Sequence, residues 1–388
     1  MVALGGLDQR SMRGGKAFLN GIAAVALLAG LGVAPAAQAE TIGLVVSWFH
    51  VAANSKDGDC PKGLNPNGEA MSRRILGEMG KSKAEIEKIM VDFPFNYGTF
   101  ATMRGRIDGK PVNVYQHPTS VPDPMMYYQE GKEGYGFNLD GKVGPNDYVE
   151  ADTGETGIDN NMWRALGCFS SLRGSPTTRP TWPAIQWDMT RDQMPALVIE
   201  INNVDDRKND DDVEVGIYRA QEPIVRNVSG DPQVDMTFRV DPDKRLHNTV
   251  KGRIKDGMLV TDSFDFFMIV DPFLQPELDI HKARLRLKLA DDGTAKGVLG
   301  GYTRWDEIYL SYAAGGSTNE GMLALDMPGI YNNLRKLADD DADPKTGMKR
   351  RISSAFTVEA IPAFVRHPKE APARTALSGT FAGGNASN

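Results

Sequence analysis

The sequence predicts a mainly β protein with a few helices: an antiparallel β-sandwich or jelly-roll-like core with short peripheral helices and long loops. Three observations predict it. Between residues 196 and 313 apolar and polar residues alternate in short runs, the period of half-buried strands. Turn-forming residues punctuate those runs at the short spacing of a sandwich. No GxGxxG follows a strand and no βαβ rhythm appears, which sets aside a doubly wound nucleotide-binding sheet.

Residues 1–39 read as a secretory signal sequence. Arg13 and Lys16 supply its positive start, residues 22–31 its apolar run, and Ala37-Gln38-Ala39 a small-x-small cleavage site that leaves Glu40 first. The run is too short to span a bilayer, and Pro35 follows it. The mature chain is therefore expected in the periplasm or outside the cell, with no integral membrane segment after cleavage.

Residues 40–183 read as a loop-rich region with the first strand and helices. Residues 41–51 form a buried strand rich in β-branched and aromatic side chains. A polar loop holding Cys60 follows. Ser82-Lys83-Ala84-Glu85 is a capping box ahead of a short helix whose apolar face is Ile86, Ile89 and Met90. A strand is expected at residues 111–115. Ile158, Met162, Leu166, Phe169 and Leu172 recur at helical spacing, with Asp159 placed to cap the start and Cys168 near the end. The proline-rich residues 175–183 mark an internal boundary.

Residues 184–367 are expected to form the sandwich core with a C-terminal helix and a return strand. Strands are predicted at 197–201, 213–218 and 234–240, as a pair within 258–270, at 285–289 and at 302–312. Asp291-Asp292-Gly293 is a hairpin signal. Ile330, Leu334 and Leu337 share one helix face, and the return strand falls at 354–365. Residues 368–388, rich in Ala, Gly and Ser, read as a disordered tail.

Composition narrows the function classes. The net charge is −7, and the first 39 residues carry more cations than anions, so the mature chain is more acidic still. That argues against nucleic acid as a partner, because phosphate binding needs clustered Lys and Arg. Cys60 and Cys168 are the two cysteines, and an oxidising compartment would join them. There is no CxxC, CxxCH, GxSxG, P-loop or HExxH, so no nucleotide, haem or flavin is expected and no nucleophile declares itself.

The acidic loops are the remaining candidates for chemistry. Asn138, Asp140, Asp147, Asp152 and Asp159 lie close together in sequence, as do Asp205, Asp210 and Asp212, and oxygen ligands at such spacing point to calcium. The first loop departs from an EF-hand: Lys142 stands where a third ligand is needed and no Glu closes it. Trp182, Trp187 and Trp305 are candidates for a ligand-stacking platform. The reading that results is an exported ligand- or partner-binding protein, stabilised by a disulfide and by calcium, with an extracellular ligand or envelope partner. The alternative is a carboxylate-dependent hydrolase or lyase acting on an extracellular polysaccharide, since carboxylate pairs leave no local signature.

Overall fold

The alternating runs close on themselves. The computed structural model describes residues 39–63, 68–92, 104–174, 178–269, 277–314 and 323–368. The apolar run of the expected signal sequence and the expected tail from residue 369 lie outside the described residues.

Eight strands form the frame: β1 Glu40–Val51, β2 Leu197–Val204, β3 Asn209–Arg219, β4 His247–Lys255, β5 Met258–Thr261, β6 Leu278–Leu289, β7 Ala295–Arg304 and β8 Lys349–Arg366. Each pairs antiparallel with the next, and β8 pairs antiparallel with β1, Leu44 opposite Pro362 and Val51 opposite Phe356. The fold is a closed eight-stranded antiparallel barrel, not the expected sandwich or jelly roll. Both architectures demand the same inward–outward alternation. What separates them is whether the first and last strands meet, and that pairing joins segments some three hundred residues apart.

Inward positions are apolar around the ring. Leu44 and Val46 of β1, Ile199 and Ile201 of β2, Val213 and Val215 of β3, Ile254 of β4, Leu259 of β5, Leu285 and Leu287 of β6, Leu299 of β7 and Phe356 of β8 belong to one buried cluster. An eight-stranded barrel has an interior just wide enough for side chains to fill. Helices extend that core: α3 Asn161–Leu166, α5 Trp305–Ala314 and α6 Leu323–Leu337 contribute Met162, Trp163, Leu166, Ile308, Ile330 and Leu334 to the same cluster. They pack where β7 ends and β8 begins. Against α6, α1 Gly68–Glu78 packs with α2 Lys83–Asp92 in a small satellite core of Ile75, Leu76 and Met90.

The capping box is present: Ser82 N–H donates to the Glu85 carboxylate at 2.8 Å, and Glu85 N–H to Ser82 Oγ at 3.3 Å. The hairpin at Asp291-Asp292-Gly293 joins β6 to β7. The cap of α3 is Asn160, whose side chain accepts from Trp163 N–H at 3.0 Å, and not Asp159. The strand expected through 302–312 stops at Arg304, and α5 starts at Trp305, with Asp306 and Glu307 in its first turn, where carboxylates suit the helix dipole. The proline-rich boundary runs into a helix, α4 Thr181–Thr190. Cys60 and Cys168 form the expected disulfide, their Cα atoms 5.6 Å apart.

Candidate functional site

The barrel's outer wall is apolar where other chain covers it. Over β1–β3, Val45, Val198 and Tyr218 pack beneath Ile224, Phe238 and Val240 of the β3–β4 connection and Ala363 of the β8 tail. Over β7–β8, Val298 and Ala355 pack beneath Phe137, with Tyr135 and Leu139 against them. The sector between, over β4–β6, is built differently.

There the outward positions are cations. Lys251, Arg253 and Lys255 alternate with buried Val250, Gly252 and Ile254 along β4. Arg284, Arg286 and Lys288 alternate with Leu285 and Leu287 along β6. The short β5 between them turns Met258 and Val260 outward, both half-buried. Register aligns these side chains into two rows: Arg253–Val260–Arg286, and Lys255–Met258–Lys288. The segment at 133–158 rises along one side, and the cleft so formed has a volume of about 870 Å³. Phe137 and Thr153–Glu155 make the opposing wall. Five cations and three carboxylates (Glu155, Asp256, Asp262) line it, a cationic local balance on a chain of net charge −7.

Arg286 pins that wall to the barrel. Its guanidinium pairs with the fully buried Glu150, donates to Gly136 O at 3.3 Å, and lies 5.0 Å from the Phe137 ring centroid. Glu150 also accepts from Asp152 N–H at 2.7 Å and Thr153 N–H at 2.8 Å, fixing the loop that carries Glu155. Arg286 is thereby committed to structure. The other cations are less engaged. Arg253 has its nearest carboxylate, Asp262, at 3.7 Å, and both are exposed. Lys288 donates to a backbone oxygen, Asp256 O, at 2.6 Å, and Arg284 reaches Asn138 O at 3.5 Å. Among the described residues the Lys255 ammonium has no hydrogen-bond or ion-pair partner. Arg286 is neutralised by Glu150 and Glu155 and Arg253 faces Asp262, so the cations that favour an anion here are Lys255, Arg284 and Lys288, which have no carboxylate partner among the described residues.

None of the described residues singled out from sequence lines the cleft, and only the backbone oxygen of Asn138 meets a cation of its wall, Arg284. Asn138 Oδ1 accepts from Gly141 N–H at 2.7 Å, and Asp140 Oδ1 from Lys142 N–H at 2.8 Å. Asp147 accepts from Gly144 N–H. These are side chains closing their own turns. Asp152 lies in the turn that Glu150 holds. Asp159 accepts from Leu139 N–H at 2.7 Å and Asp140 N–H at 3.3 Å; burial, with Asp140 and Asp147 nearby, pushes its carboxyl up to about 6 against those two hydrogen bonds. Of the second group, Asp210 and Asp212 stand on β3, not in a loop, and Asp205 donates its N–H to Asp210 at 2.7 Å. Among the described residues no three His, Cys, Asp or Glu side chains are grouped so as to hold a metal ion.

Of the tryptophans, Trp187 and Trp305 make separate ring contacts. Trp187 is half-buried against Trp48, ring centroids 6.0 Å apart. Trp305 meets Tyr331 edge-on at 5.2 Å and donates to Lys349 O at 3.2 Å. The side chain of Trp182 lies outside the described residues.

The cationic wall has a signal in the sequence. The inward phase of β6 (Leu285, Leu287, Leu289) is easy to see, and the complementary phase (Arg284, Arg286, Lys288) is uniformly basic. β4 repeats this with Lys251, Arg253 and Lys255. Only pairing reveals that two such phases face one cleft. Comparison with protein-family models, curated proteins and solved structures finds no match for this chain.

Proposed function

We propose that this chain is an exported ligand-binding β-barrel protein whose ligand is an anion, seated on the outer wall over β4–β6. One observation carries the reading: Arg253, Lys255, Arg284 and Lys288 project into a single cleft, largely without carboxylate partners, on an acidic protein. The packed barrel interior supports an outer site, since it is occupied by its own side chains. Export rests on the signal-sequence pattern, and the Cys60–Cys168 disulfide suits the oxidising compartment it leads to. Binding in the periplasm or outside the cell follows from that address.

The test is a thermal-shift and calorimetric panel of carboxylates, phosphate, sulfated oligosaccharides and uronate oligosaccharides, each matched for ionic strength with sodium chloride. At least one anion should raise the melting temperature beyond the salt control. The variant Arg253→Ala/Lys255→Ala/Lys288→Ala should lose that shift while keeping its circular dichroism spectrum. A panel without any shift above salt, or a triple variant that binds as well as the parent, overturns the reading.

A further inference from the structure

We propose that the cleft selects a dianion, a ligand with an anionic group at each end of an apolar or ring-shaped body, and not a single anion of any size. This rests on the anion-binding reading and adds a ligand class to it. Arg253 and Lys255 stand on β4, and Arg284 and Lys288 on β6, with β5 between. Two strand spacings separate β4 from β6, so the two cationic margins start about 10 Å apart at the backbone. The side chains that β5 turns outward between them are apolar, and the Lys288 ammonium reaches the end of that strip at Asp256 O in the β4–β5 turn. Met258 lies in register between Lys255 and Lys288, and Val260 between Arg253 and Arg286.

That arrangement has a chemical consequence. With Arg286 already held by Glu150, an anion on the β4 margin leaves Arg284 and Lys288 without a carboxylate, one on the β6 margin leaves Lys255 so, and neither covers the apolar strip. A small polyanion held at one margin does the same. A ligand that straddles β5 satisfies a cation at each end and removes Met258 and Val260 from water along its middle. Apolar burial of that kind is favourable in proportion to area. An α,ω-diacid, or an acidic oligosaccharide laying a ring face on the strip, shares this chemistry.

The experiment uses the full chain and a length series of α,ω-dicarboxylates, malonate, succinate, pimelate, suberate and sebacate, with octanoate as the single-charge control. Titration calorimetry at fixed ionic strength reads affinity. Affinity should peak between pimelate and sebacate, with octanoate about fivefold weaker than suberate, the size of one solvent-exposed ion pair. Lys255→Ala and Lys288→Ala should each bring suberate down to the octanoate level. Val260→Asp should weaken suberate more than succinate. Octanoate or succinate binding as tightly as suberate overturns the dianion proposal while leaving anion binding intact. Failure of every dicarboxylate to bind, with sulfated or uronate oligosaccharides retained and a flat dependence on their length, overturns it as well. Failure of all anions removes both readings. A uronate series would extend the test, with tighter binding of the disaccharide than of the monosaccharide supporting the two-margin geometry.

Discussion

Asp159 shows how one side chain can serve a role other than the one its neighbourhood suggests. Its carboxylate holds the backbone of Leu139 and Asp140, and burial raises its pKa to about 6. An unfolded Asp titrates near 3.9. The folded state therefore binds this proton first, so the group adds stability as pH falls from about 6 towards 4 and subtracts it above 6. Asp159→Asn should raise the melting temperature at pH 8 and flatten its rise between pH 6 and 4. Thermal melts of both proteins across that range check it, and an identical pH dependence would refute the assignment. In sequence Asp159 was legible as a functional polar residue at a helix start. The cap went one position further, to Asn160, because backbone geometry at the end of a short strand decides which side chain reaches Trp163 N–H.

At the scale of elements, periodicity located most strands and one helix boundary, and failed where local pattern was ambiguous. Residues 302–312 alternate like a strand until Trp305, and the helix begins there because β7 has reached the barrel rim. Residues 209–212, a run of Asn and Asp, are strand because β4 supplies a partner, Asp210 opposite Ile254 and Asn209 opposite Lys255. Element crossings impose their own demands. Where the β8 tail leaves β1, the position a Cβ would take on Gly43 lies 2.4 Å from the carbonyl oxygen of Ala363. Gly43→Ala should destabilise the protein by about 1–3 kcal/mol, the usual range for overpacking, as measured by urea unfolding. An unchanged midpoint would mean that the tail moves aside freely.

For the molecule as a whole, closure and polarity set what the barrel can be. Its strands turn apolar residues inward and, over β4–β6, cations outward. A barrel that spans a bilayer has the opposite polarity, an apolar outer band around a polar lumen. Among the described residues no helix is long and apolar enough to cross a membrane. The disulfide ties the Cys60 loop to the end of α3 across a sequence separation of 108. A loop of that length implies about 4–5 kcal/mol of stabilisation in the chain-entropy view. Replacing both cysteines by serine should lower the denaturant midpoint accordingly, and reductant should leave that variant unaffected. A variant as stable as the parent would show that native packing alone fixes the loop.

Local residue order sets the β class, the alternation that sorts inward from outward residues, the pair of cysteines, and the capping box and hairpin. Each depends on residues near one another in the chain, or on there being two cysteines only. Tertiary structure decided the rest. β8 meets β1 and makes a barrel of what reads equally well as a sandwich. Asp140, Asp147, Asp159 and Asp210 turn their carboxylates to backbone N–H groups of neighbouring turns. Two basic strand phases, unremarkable when read separately, become the margins of one cleft because β5 holds β4 and β6 two strand spacings apart. Register between distant strands is a property of pairing, and no local run of residues encodes it.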